Sequence, residues 1–95
     1  MKTYLIEREI PGASELTDEQ LREITQTSNA AVDSLGKPYR WLHSYVAGDK
    51  VYCVHQADDV ETIRAHAEAG GFPANVISEV ATTFDAGGPR TELPR

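Results

Sequence analysis

Apolar residues recur with two different periods along this chain, and the switches between them mark its elements. From Thr3 to Glu9 the period is two, with Tyr4 and Ile6 on one side and Leu5 and Glu7 on the other. This predicts a strand, stopped by Ile10-Pro11-Gly12. From Thr17 the period becomes helical: Leu21, Ile24, Ala31, Val32 and Leu35 form one stripe. Thr17 and Gln20 have capping-box spacing, Leu16 can staple onto Leu21, and Gly36 with Pro38 just beyond closes the helix. Period two returns over residues 39–46 and again over 51–56, around a Gly48-Asp49 turn, which is the pattern of a β-hairpin. Pairing outward from the turn sets Val46 against Val51, Tyr45 against Tyr52, Ser44 against Cys53 and His43 against Val54. A second helix is predicted from Asp58, with Glu61 at capping-box spacing, Val60, Ile63 and Ala67 as its stripe, and Gly70-Gly71 as its stop. After the turn Phe72-Pro73-Ala74-Asn75, a last strand is predicted from about residue 76 to 84.

The resulting order, β-α-β-β-α-β, is that of the ferredoxin-like split unit, an α+β sandwich with a four-stranded antiparallel sheet and both helices on one face. The predicted domain covers residues 1–84. Residues 85–95 show no periodicity and read as a flexible C-terminal tail. The helix stripes should cover the face bearing Tyr4, Ile6, Leu42, Val46, Val51, Cys53 and Val80. The opposite face would then hold Leu5, Glu7, Trp41, His43, Tyr45, Tyr52, Val54 and Glu79. Aromatic side chains at roughly 150–250 Å² each make that face too apolar to stand in water alone. A second copy packed sheet to sheet would cover it, giving a homodimer.

Composition narrows the classes of function. The chain has 95 residues, 40% of them hydrophobic, enough for one domain with a modest core. A net charge of -6 argues against nucleic-acid or anionic-membrane partners, and its carboxylates favour a cation instead. No apolar run approaches the length of a signal-peptide core or a membrane span. The single cysteine, Cys53, permits no internal disulfide, so a cytoplasmic location is expected.

Candidate chemistry centres on His43 with Glu7, and with Glu79 if it shares their face. Imidazole and carboxylate converging there would suit a divalent transition metal or an acid and base pair, or His43 would simply hydrogen-bond within a dimer interface. His66 lies about a quarter turn off its helix stripe and reads as a solvated rim residue. As a ligand it would need partners from a loop or a second subunit. His55 and Cys53 share a face expected to meet the helices and read as core, with a thiolate nucleophile the minority option for Cys53. No phosphate loop, nucleophile elbow or paired cysteine motif is present. A small enzyme of the dimeric α+β barrel type remains the alternative, with Trp41, Tyr45 and Tyr52 lining a pocket on the open sheet and His43 and Glu7 moving a proton.

Four segments carry a resemblance: residues 4–8 (YLIER), 41–46 (WLHSYV), 51–54 (VYCV) and 63–80 (IRAHAEAGGFPANVISEV). They are similar to a bacterial family of small domains of unknown function that includes an actinobacterial nickel-binding ferredoxin-like protein. The likeness runs to about Thr83, and the hairpin and the His66-to-Ala74 stretch are its most specific parts. It implies a ferredoxin-like dimer with a nickel-type metal site, and it carries a ligand role onto His43 and His66. The relative is richer in histidine near the end of the first strand and near the turn after the second helix. This chain has Glu7-Arg8-Glu9 and Gly71-Phe72-Pro73 there, so the residue reading supplies Glu7 as the replacement donor. The expectation is therefore a non-enzymatic metal-binding homodimer with ligands His43, Glu7 and His66, and no catalytic residues.

Overall fold

Strand β1 (Lys2–Glu9) is the centre of the molecule, paired antiparallel on both sides. The computed structural model describes residues 1–90. After β1 come a short 3-10 turn (Ala13–Glu15), helix α1 (Asp18–Leu35), strands β2 (Tyr39–Ala47) and β3 (Lys50–Ala57), helix α2 (Val60–Gly70) and strand β4 (Val76–Glu79). The sheet order is β2-β3-β1-β4 with every neighbour antiparallel, which is the ferredoxin-like arrangement.

Local chemistry explains where the helices start and stop. The Thr17 side chain accepts from the Gln20 backbone N–H while the Gln20 side chain accepts from the Thr17 backbone N–H, a complete capping box. At the far end Gly36 takes the left-handed conformation (φ 61°) that a residue with a Cβ resists. Helix α2 begins one residue later than the spacing predicts. Asp59, not Asp58, is its cap, because Asp59 Oδ1 accepts from both the backbone N–H and the hydroxyl of Thr62. Those two bonds hold the Asp59 carboxyl below its usual pKa.

The core lies between the sheet and the helices: Tyr4, Ile6, Cys53, Ala57 and Ile63 are buried, with Tyr39, Val51, Val60, Ala74 and Ile77 packed against them. Ile6 and Ile63 are fully excluded from solvent, worth about 1.5–3 kcal/mol each.

The hairpin register agrees with the turn-outward pairing as far as His43 against Val54. There the strand bulges. Leu42 is an extra residue, so Trp41 pairs with His55 and lands on the helix-covered face, opposite to the expected one. Glu79 also changes side. It pairs with Tyr4 and lies 3.8 Å from Lys2 at the helix-side edge. The last strand ends at Glu79 and not near Phe84. Beyond it, β5 (Thr83–Asp85) pairs with β6 (Gly88–Arg90) as a separate two-stranded ribbon, spanning the end of the expected last strand and the start of the expected tail. The rest of that tail, 91–95, falls outside the described residues.

Candidate functional site

The open face of the sheet presents Leu5 and Glu7 from β1, Tyr52 and Val54 from β3, and His43 and Tyr45 from β2, as the alternation requires. His43 is exposed, its ring edge-on to Tyr45 at 5.1 Å, and Tyr45 is itself 61% exposed. Glu7 lies 3.7 Å from Lys50. Strand β3 stands between His43 and Glu7, so their strands are two spacings apart, roughly 9–10 Å.

His66 is not a rim residue. It is fully buried, because the inward side of α2 includes Thr62 and His66 beside Ile63 and Ala67. The sheet separates it from His43, and the three residues nominated as ligands are not brought together within one chain. Among the described residues, no three of His, Cys, Asp and Glu group as a metal ion would need. Among the described residues of one copy, His43 and Glu7 therefore stand on one face and His66 behind the other.

A polar cluster occupies the interior on the helix side. His66 Nε2 is 3.0 Å from Ser28 Oγ on α1, and its ring stacks on Tyr39 at 4.9 Å and on Phe72 at 5.9 Å. The Tyr39 hydroxyl bonds His55 Nδ1. His55 and His66 meet edge to face at 5.1 Å. Neither His55 Nε2 nor His66 Nδ1 has a hydrogen-bond partner among the described residues. Burial pushes the His55 pKa down to about 3, helped by the neighbouring His66 and Arg8. Burial and Arg8 lower His66 too, against the opposing bond to Ser28. Burial raises the Tyr39 phenol, so this cluster is neutral at pH 7.

Arg8 is the charge in this interior. It is only 4% exposed, its Nε donates to Cys53 Sγ at 3.4 Å, and its Nη1 donates to the Pro73 carbonyl at 2.7 Å. Its guanidinium sits 5.5 Å over the Phe72 ring. Cys53 Sγ accepts a second bond from Ser44 Oγ at 3.0 Å, and the Ser44 oxygen accepts from the Trp41 indole at 2.9 Å. The Phe72 ring reaches this place because Gly70 has no side chain: a Cβ there would stand 2.4 Å from it.

Beside these groups, between α1 and the β2–β3 hairpin, is a cavity of about 210 Å³. Arg8, Ser28, Trp41, Cys53, His55 and His66 line it, with aliphatic walls from both helix and strands. This is not the concavity beside His43 that the enzyme alternative requires, since it lies behind the sheet and takes Trp41 with it. Cys53 and His55 are buried core residues, as their alternation indicated. The sequence pattern does not single out Arg8, Ser28 or Tyr39 for chemistry, although two carry a signal: Arg8 alternates with Tyr4 and Ile6, and Ser28 falls on the stripe between Ile24 and Ala31.

Comparison with known proteins adds a family to this geometry. Residues 4–80 match the family model described as nickel responsive protein SCO4226-like. The fold is similar to the crystal structure of SCO4226 from Streptomyces coelicolor A3(2), with a TM-score of 0.66 and 23% sequence identity, over 85% of this chain and 98% of that one. No curated protein matches by sequence.

Proposed function

This chain belongs to the family of nickel responsive protein SCO4226-like, and from that premise we propose that it is a non-enzymatic homodimer that binds nickel or a similar divalent transition metal. The family match over residues 4–80 is the observation that carries the reading. His43 and Glu7 are the donors, being the imidazole and carboxylate on the face that the helices leave uncovered. His66 is left out, since it is buried behind the sheet and engaged by Ser28.

Among the described residues one copy places only these two donors on the open face, so the site is completed by a second copy across the open faces. Tyr45 at 61% and Val76 at 46% exposure, with the half-buried Leu5, Tyr52 and Val54, give that approach an apolar footing. Glu7 would exchange its ion pair with Lys50 for the metal. When bound, the ion would add a Lewis acid and a cross-link between sheets, while the side chains named here orient it. Among the described residues no helix is long and apolar enough to cross a membrane. The buried, unpaired Cys53 thiol fits a reducing cytoplasm.

Titration calorimetry of tag-free, chelator-stripped protein with nickel and with zinc tests the proposal. Binding heat is expected, weakened at least tenfold in His43→Ala. Absence of both heat and thermal shift with either ion rejects it.

A further inference from the structure

Arg8 poses a question that neither the fold nor a metal on the opposite face answers. It is a buried cation at 4% exposure, and among the described residues no carboxylate lies within ion-pairing distance of it. A guanidinium carries five N–H donors, yet only Nε and Nη1 are bonded, to a sulfur and to a carbonyl. Nη2 makes no bond to any described residue, and Arg8 is one of the walls of the cavity of about 210 Å³. Such a charge is costly unless water or a ligand in the cavity solvates the unbonded edge.

The neighbouring walls do not balance it. Among the lining residues Arg8 alone carries formal charge, His55 and His66 being neutral, and the remaining walls are aromatic or aliphatic apart from small hydroxyls and the Cys53 sulfur. Trp41, His55, His66 and Phe72 contribute four rings. A dry cavity of about 150 Å³ is enough for benzene, so this one has room for a ring and a carboxylate together.

We propose that the cavity between α1 and the β2–β3 hairpin is a binding site for a small aromatic carboxylate, its anion paired with Arg8 and its ring among Trp41, His55, His66 and Phe72. The ligand enters from the α1 side, where Leu21 and Ile24 are only half-buried and Thr25 is exposed. The carboxylate accepts from the unbonded edge of the guanidinium, a charge-assisted geometry that Arg is shaped to offer.

Trp41 is the sole tryptophan and lines the cavity, so its fluorescence reports occupancy directly. The experiment titrates metal-free, full-length protein with phenylacetate and, separately, with its neutral analogue phenylacetamide. Phenylacetate should shift the Trp41 emission saturably, with an affinity at least about tenfold above that of phenylacetamide, the size of one charge-assisted contact. Thr25→Phe, a change at an exposed helix position that fills the mouth, should abolish the response while the far-ultraviolet circular dichroism stays unchanged. Arg8→Gln should bring the two ligands to equal affinity. No saturable change with phenylacetate, equal binding of both compounds by the unaltered protein, or binding untouched by Thr25→Phe would each overturn the proposal, whether or not Arg8→Gln folds.

Discussion

Lowering the pH from 7 to 5 should destabilise this protein before its carboxylates are reached. The cause is His55, buried beside Tyr39, Trp41 and His66, whose pKa falls from 6.5 to about 3 on folding. Between those values the unfolded chain binds a proton that the folded chain refuses, so the stability this neutral group contributes is present above pH 6.5 and is lost as the pH falls toward 3. At pH 5 the gap is about 1.5 pH units at roughly 1.36 kcal/mol each, or about 2 kcal/mol. His66 is shifted the same way and adds to the loss. A domain of this size has a total stability of roughly 5–14 kcal/mol, so the loss is a sizeable fraction of it. It corresponds to a fall of roughly 8–16 °C in Tm. Urea unfolding followed by circular dichroism at pH 7, 6 and 5, with constant ionic strength, reads it as a falling midpoint at unchanged slope. His55→Phe should flatten the profile between pH 6.5 and 5. A midpoint that is level or rises from pH 7 to 5 in the unaltered protein would refute the burial argument for these imidazoles.

Four further substitutions test the packing and the helix caps. Gly70→Ala places a Cβ 2.4 Å from the Phe72 ring and should cost about 1–3 kcal/mol of overpacking, less up to about 1 kcal/mol of gained helix propensity, a net loss seen in the urea midpoint. Thr17→Ala removes the hydroxyl of the capping box and should lower stability by about 1 kcal/mol in the same assay. Asp59→Ala should lower Tm through loss of the bonds to Thr62, whereas Asp58→Ala should leave it nearly unchanged; the reverse order would show that the helix starts where the spacing placed it.

Much of this fold was legible in the sequence because its signals are local. The Thr17-Gln20 box, the Gly36 stop and the Gly48-Asp49 turn each depend on neighbours a few residues apart, and the four pairs next to the turn follow from counting outward. What escaped depends on phase. Leu42 carries no glycine or polar mark of a bulge, yet one extra residue there sends Trp41 from the open face to the cavity. His66 escapes the pattern for a related reason: a helix buried against both a sheet and another helix hides a wider arc than its aliphatic residues outline, and that arc includes Thr62 and His66. The interior polar cluster was hidden because it assembles Arg8, Ser28, Tyr39, His55 and His66 from five separate elements. Of the expected donors, His43 falls on the predicted face because it is on the turn side of the bulge, where counting outward still holds, and Glu7 because β1 pairs regularly.

Anomalous diffraction at the nickel edge, from crystals of chelator-stripped protein grown with stoichiometric nickel, addresses the metal proposal most directly. The account predicts a peak at His43 between the open sheet faces of two copies. Crystals of a lone chain with no peak at His43, or with the metal held on the helix side by His66, would contradict it.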